Sequence, residues 1–192
     1  LRSRDGADGA TPGGNAVAAS ALARLACHFD RQDWRDAAVG AIRAYGRQIT
    51  RYPRAFAKSL AVVDFLTEGP VELAFVGDGQ QAAAQALYRA VAEEYLPNRI
   101  IASTGSNAGS TLPLLQGKSV VAGQPALYIC RNFSCQRPVT DANAVADALR
   151  VHRSGAGTGP GTGAGRTEAL LRGAQLSGHA TAQGTAAYAA NM

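Results

Sequence analysis

The chain of 192 residues carries a net charge of +5 and is 46% hydrophobic, enough apolar side chain for one packed core. Its most apolar stretch, Leu60 to Leu66, is broken by Asp64 and falls far short of the roughly 18 apolar residues a membrane span needs, so no membrane partner is expected. Of its 19 basic residues only Lys58 and Lys118 are lysines, and the arginines are scattered among acidic residues; this predicts a solvated surface and no nucleic-acid face.

The chain opens on Leu1 without an initiator Met or an apolar h-region, so this start does not read as a signal peptide. Residues 5–14, DGADGATPGG, read as a loop, and Asn15 as the N-cap of a first helix whose inner stripe is Ala18, Leu22, Leu25 and Phe29. A second helix is expected from Asp33 to Tyr52, with Trp34, Ala37, Ala38, Ala41, Ile42, Tyr45, Ile49 and Tyr52 in one stripe. Pro53 stops it and opens a third, carrying Phe56, Leu60, Val63 and Leu66 and closed by Gly69-Pro70. Three such helices must stack to bury their stripes.

The character then changes. Val71 to Val76 reads as a strand, residues 80–95 as a helix and Arg99 to Ser103 as a second strand, which makes a βαβ unit with parallel strands. Ala126 to Cys130 is a third strand, and Thr140 or Asp141 caps a last helix, Ala142 to Val151, with Val145, Ala148 and Leu149 inward. Beyond His152 the sequence is mostly Gly, Ala, Thr and Ser. Apart from a short helix near Glu168 to Gln175, it offers nothing to repay its ordering entropy and is expected to dock nowhere. The fold class is therefore mainly α with a small α/β appendage: helices over residues 1–69, a β-α-β-β-α unit over 70–152 and a disordered tail over 153–192.

Several motifs could carry chemistry. Gly77-Asp78-Gly79-Gln80-Gln81-Ala82 fits G-x-G-x-x-A after a strand and before a helix, where a pyrophosphate could approach the backbone. The second strand, however, ends in Ser103 and Thr104, where a ribose-binding acid belongs, so a tight turn without a cofactor is the expectation. Cys130 and Cys135 form a C-x4-C pair that lacks the partner ligands of a zinc site and the spacing of a dithiol redox site. Free thiols are expected there, with a local disulfide as the alternative and a reducing cytoplasm as the compartment. Cys27 and His28 are adjacent, so on a helix they do not face each other as nucleophile and base. Asp8 and Asn15 flank the opening loop and could hold a sugar hydroxyl, or serve as an Asx-turn and a helix cap.

Three segments resemble one family. They are D-G-A-T-P-x-G-N from Asp8 to Asn15, L-P-L-L-x-G-K from Leu112 to Lys118, and A-L-Y-I-C-R-N-F-S-C-Q-x-P-V-T-D from Ala126 to Asp141. Together they are similar to the C-terminal end of the thioredoxin domain-containing, spermatogenesis-associated family. The resemblance implies a thioredoxin-like domain joined to a six-hairpin α/α barrel like those of sugar epimerases and glycosidases. The helices of residues 1–69 would then be the last of an (α/α)6 toroid, the missing N-terminal part of the parent chain the main partner, and a carbohydrate the ligand. It implies no cofactor and carries no catalytic residue onto these positions, so the isolated chain is expected to be inactive. The resemblance equally implies a second role, a redox or protein-binding scaffold for the thioredoxin-like domain. Gly13 and Ala16 stand where the family has serines, which thins the polar character of the loop between Asp8 and Asn15.

Overall fold

A computed structural model describes residues 6–105, 110–131, 134–154 and 163–172. The first helices are α1 (Gly14–Phe29), α2 (Gln32–Arg43), α3 (Gly46–Arg51) and α4 (Ala57–Glu68), with a 3₁₀ turn at Pro53–Phe56. Then come β1 (Val71–Val76), α5 (Ala82–Ala92), β2 (Arg99–Thr104), β3 (Ala126–Arg131), a two-residue β4 (Ser134–Cys135), α6 (Val145–Ser154) and α7 (Gly163–Arg172). The sheet order is β2-β1-β3-β4. β1 and β2 are parallel, as a βαβ crossover requires, and β3 runs antiparallel to β1.

The sheet is covered on both sides. Alternation along β1 sends Leu73 and Phe75 to one face, where they meet Leu127 and Ile129 of β3 beneath Leu87 and Val91 of α5 and Val145 and Leu149 of α6. Ala74 points the other way, joining Ile100 and Ala102 of β2 against Val62, Phe65 and Leu66 of α4 and Ala19 and Ala23 of α1. This second core is continuous across Gly69-Pro70, so helices and sheet share one interior.

Three expectations are revised. The single helix over Asp33 to Tyr52 is broken at Ala44-Tyr45 into α2 and α3. The cause is tertiary: at Gly46 a Cβ would lie 2.6 Å from the Leu171 carbonyl oxygen, so α3 begins where another backbone presses against it. Of the stripe expected to line the inside of α1 only Leu22 packs against the core: the buried residues are Ala16, Ala19, Ala23 and Ala26, while Ala18, Leu25 and Phe29 are exposed. α1 is apolar on both sides, so periodicity alone could not choose between them.

The third revision concerns the region after His152. Residues 163–172 are helical and docked: Leu170 is fully buried in the helical core, Arg43 Nε donates to its carbonyl at 2.9 Å, and Arg166 pairs with Glu68 at 2.6 Å. One buried leucine and a backbone cradle at Gly46 overcome the Gly-rich composition. Residues 155–162 and 173–192 lie outside the described residues, and with them the rest of the expected tail.

The arginines read as solvated surface are in several cases structural staples. Arg35 donates to the Leu66 carbonyl at 2.7 Å and Arg131 to that of Glu68 at 2.8 Å. Both satisfy carbonyls left open in the last turn of α4, where a cation also complements the helix dipole.

Candidate functional site

In the opening loop the side chains of Asp8 and Asn15 are both engaged by backbone groups. Asp8 Oδ1 accepts the Gly13 amide and Oδ2 the Lys58 amide, both at 2.8 Å, while its own amide donates to the Ala55 carbonyl at 2.7 Å. Lys58 is the second residue of α4, so Asp8 caps that helix from outside it. Those backbone hydrogen bonds, Gly13 first and then Lys58, hold its carboxyl below the usual aspartate range. Asn15 is not the cap of its own helix: Gly13 takes that place, and the Asn15 amide donates to the Ala41 carbonyl at 2.8 Å, tying α1 to α2.

Cys130 and Cys135 are joined as a disulfide between β3 and β4, so the expectation of free thiols is corrected in favour of its alternative. The antiparallel register sets the two residues opposite each other, an arrangement that required β4, a strand of two residues with no signature in the sequence. Cys130 is fully buried and Cys135 exposed. Cys27 is a free thiol pushed up to about 11, first by burial and then by the Glu72 carboxylate, so it is a poor nucleophile at neutral pH. Its neighbour His28 is held below the ordinary histidine value by burial and then by Arg24. Among the described residues no three His, Cys, Asp or Glu side chains gather to hold a metal, and no helix is long and apolar enough to cross a membrane.

At Gly77 the backbone has φ +129°, and an added Cβ would lie 2.9 Å from Pro125. Asp78 Oδ1 accepts the Gln80 amide at 2.9 Å, closing an Asx-turn before α5. The Gly77–Ala82 segment thus has its own reason for a glycine, close approach to Pro125, that needs no cofactor.

What sequence reading missed is a groove. A cavity of about 370 Å³ opens between α1, α4 and the α5–β2 connection, lined by Ser20, Arg24, Lys58, Asp64, Tyr95 and Asn98 over an apolar floor that includes Val62 and Phe65. A second cavity of about 350 Å³ continues it past Arg24 and Pro97 to His28 and Arg99. Asn98 Nδ2 donates to Asp64 Oδ2 at 2.6 Å, clasping the connection to α4. Arg24 spans the groove: its guanidinium donates to the Arg99 carbonyl at 2.9 Å and lies 4.9 Å from the Phe65 ring centre. Tyr95 is 83% exposed and offers a free aromatic face at the rim. Ser20, Asn98, Asp64 and Lys58 thus line the groove with polar groups around an apolar floor. Asp64 is the one carboxyl among the described residues lining this first cavity, so the two-carboxylate arrangement of glycoside hydrolysis is not assembled there. The first cavity is built from three short stretches, at 20–24, 58–65 and 95–98, that are 30 or more positions apart in sequence, and together they form no local motif.

No protein-family model and no solved structure matches the chain. It is 29% identical over 145 residues to spermatogenesis-associated protein 20 of Homo sapiens and likewise to that of Mus musculus, in each case over 73% of this chain and 18% of the relative. An uncharacterized protein of Caenorhabditis elegans is 24% identical over 133 residues, or 69% of this chain and 18% of the relative. The chain thus spans about a fifth of the length of the curated relatives it matches. On this footing, the mainly helical chain with its small mixed sheet is homologous to spermatogenesis-associated protein 20 over 73% of its length.

Proposed function

We propose that this chain is the C-terminal sector of a longer protein of the spermatogenesis-associated protein 20 kind, and that it supplies one wall of a carbohydrate site which other parts of that protein complete. In this reading α1 to α4 are the last helices of an α/α toroid resembling those of sugar epimerases and glycosidases. The observation that carries it is the groove: Ser20, Lys58, Asp64 and Asn98 offer donors and acceptors at hydroxyl scale, and Tyr95 offers a face for the apolar side of a sugar ring. With one carboxyl in the first cavity, the chain binds without turning over. Catalytic groups must be held to fractions of an ångström by a supporting shell, and that shell belongs to the rest of the toroid.

The test is titration of the purified chain with neutral mono- and disaccharides, followed by amide chemical shifts. Shifts centred on Ser20, Asp64, Tyr95 and Asn98, weakened at least fivefold in Asp64→Ala and in Tyr95→Ala, are expected. The same chain is expected to show no epimerisation, glycoside hydrolysis or disulfide reduction above a denatured control. An absence of shifts at tens of millimolar sugar would sink the carbohydrate reading.

The Cys130–Cys135 disulfide favours a second reading, in which the chain is a redox or protein-binding scaffold and a thioredoxin-like domain elsewhere in the parent carries the activity. With Cys135 exposed, one sulfur of the pair is open to an attacking thiolate. Reduction by dithiothreitol but not by the parent's own N-terminal region would remove this reading.

A further inference from the structure

We infer that the outward side of α1, together with the α1–α2 turn, is the seat of an apolar helix from the part of the longer polypeptide that lies outside this chain. The inference rests on the reading of the chain as one sector of a longer protein. It names the surface through which that sector is joined.

The sixteen residues of α1 carry one Arg and one His and no acid. Arg24 is spent on the Arg99 carbonyl and the Phe65 ring, at the edge facing the groove. The inward side is four alanines, Ala16, Ala19, Ala23 and Ala26, each at most 6% exposed. The large apolar residues lie on the other side: Val17 is 47% exposed, Leu25 41% and Phe29 46%. Spacings of three and four residues bring these three onto one side with Gly14, Ala18 and Ala21, which are also exposed. A helix apolar on both sides belongs inside a larger body, because a surface helix needs only one such stripe.

The chemistry of the stripe selects its occupant. It holds no charge, so it offers nothing to an acidic or basic partner. Small residues at 14, 18 and 21 between larger ones at 17, 25 and 29 present the ridges and grooves that a second helix fills. At one end Phe29 packs edge-on to Trp34 at 5.8 Å, and Arg31 lies 4.7 Å from the Trp34 ring centre while pairing with Asp33 at 2.7 Å. An exposed phenylalanine against a half-buried tryptophan, with an arginine beside them, is the composition that anchors interfaces. The relatives supply the source. Because the chain spans 18% of spermatogenesis-associated protein 20, a longer polypeptide of that kind holds further segments tethered at high effective concentration, ahead of any second copy.

The experiment introduces a single reporter thiol, Ala21→Cys, in a Cys27→Ala background and without reductant, so that the disulfide stays closed. Gln80→Cys serves as a control on an exposed turn far along the chain. Maleimide labelling rates are compared between this chain and the polypeptide encoded by its full open reading frame. The expected result is labelling at position 21 at least tenfold slower in the longer polypeptide, with equal rates at position 80. A second variant, Leu25→Glu, is expected to leave the melting temperature of this chain unchanged and to lower that of the longer one. Equal rates at position 21 in the two proteins would overturn the inference. So would protection of position 21 in this chain alone that grows with concentration as a dimer forms, since the occupant would then be a second copy. Labelling requires neither sugar nor turnover, so a groove that binds no carbohydrate leaves this inference standing. A reading frame that adds no residues overturns both.

Discussion

Asp8 and Lys58, fifty positions apart, are joined by a 2.8 Å hydrogen bond from the Lys58 amide to Asp8 Oδ2. The bond makes the opening loop the cap of α4, the helix that also forms a wall of the groove. Fold and candidate site therefore depend on the same carboxylate.

Replacing Asp8 by Ala is expected to destabilise the chain by about 1–2 kcal/mol, the typical cost of a lost helix cap. The loss should depend on pH. Asp8 has its folded pKa below the ordinary aspartate value of about 3.9, so its contribution is complete above that value and is lost as pH falls through the folded one. Urea midpoints of wild type and Asp8→Ala should differ between pH 6 and 8 and converge toward pH 2. A constant difference down to pH 2 would show that the ionised carboxylate is not what caps α4.

The docking of α7 depends on a glycine more than a hundred positions away. A methyl at Gly46 would meet the Leu171 carbonyl oxygen at 2.6 Å, and neither backbone can yield without moving the helix. Gly46→Ala should therefore release α7, as should Leu170→Ala, where truncating a fully buried leucine costs about 2–5 kcal/mol. In limited trypsinolysis the wild-type bond after Arg166 should be protected and that of either variant cut at least tenfold faster. Cleavage at equal rates would mean that α7 does not hold its place through these contacts.

How much of this was legible in the sequence varies with how local the cause is. β1, β2, β3 and α5 were readable because each is an apolar run or stripe bounded by its own glycine, proline or polar residues. The docking of α7 was not: a short helix near Glu168 to Gln175 was readable, but its partners, Gly46, Arg43 and Glu68, are remote. The side of α1 that faces inward was misread because its alanines pack close to neighbouring helices while its larger residues face out. Asp8 and Asn15 were legible as polar groups of the opening loop, but Asn15 does not cap its own helix, and their partners, Lys58 and Ala41, could not be named without the fold. The groove had no linear signature, since Ser20, Lys58, Asp64 and Asn98 meet through packing alone.

Gly77 and Gly79 separate a structural turn from a cofactor loop. At Gly77 the backbone has φ +129° and Pro125 stands 2.9 Å from an added Cβ, whereas at Gly79 an added Cβ meets nothing within 4 Å. Gly77→Ala should cost on the order of 2 kcal/mol through backbone strain and crowding. Gly79→Ala should cost less than about 0.5 kcal/mol, as at other open surface positions. Thermal melts of the two variants decide it, and the reverse order of sensitivity would refute the turn assignment.

Glu72 gives the chain a stability that falls on the alkaline side. It lies on β1, where burial pushes its carboxyl up to about 7 against the opposing pull of Lys118, with Asp30 adding a smaller upward push. In the unfolded chain a glutamate titrates near 4.3, so the folded state holds this proton more tightly. The contribution is therefore fully present below about pH 4, declines as pH rises through about 7, and is level above that. Allowing for partial exposure of the side chain, the wild type should lose on the order of 2 kcal/mol between pH 5 and pH 8. Glu72→Gln keeps the shape and carries no titrating proton, so its stability should not fall in that way. Comparing the two proteins at each pH removes the contributions of His28 and the other titrating groups, which they share. Lys118→Met, which removes the cation that draws the proton off, should enlarge the decline and extend it to higher pH. The measurement is the urea midpoint of all three proteins at half-unit intervals from pH 5 to 8.5. Parallel curves for wild type and Glu72→Gln would mean that the carboxyl is ionised throughout and that burial does not govern it.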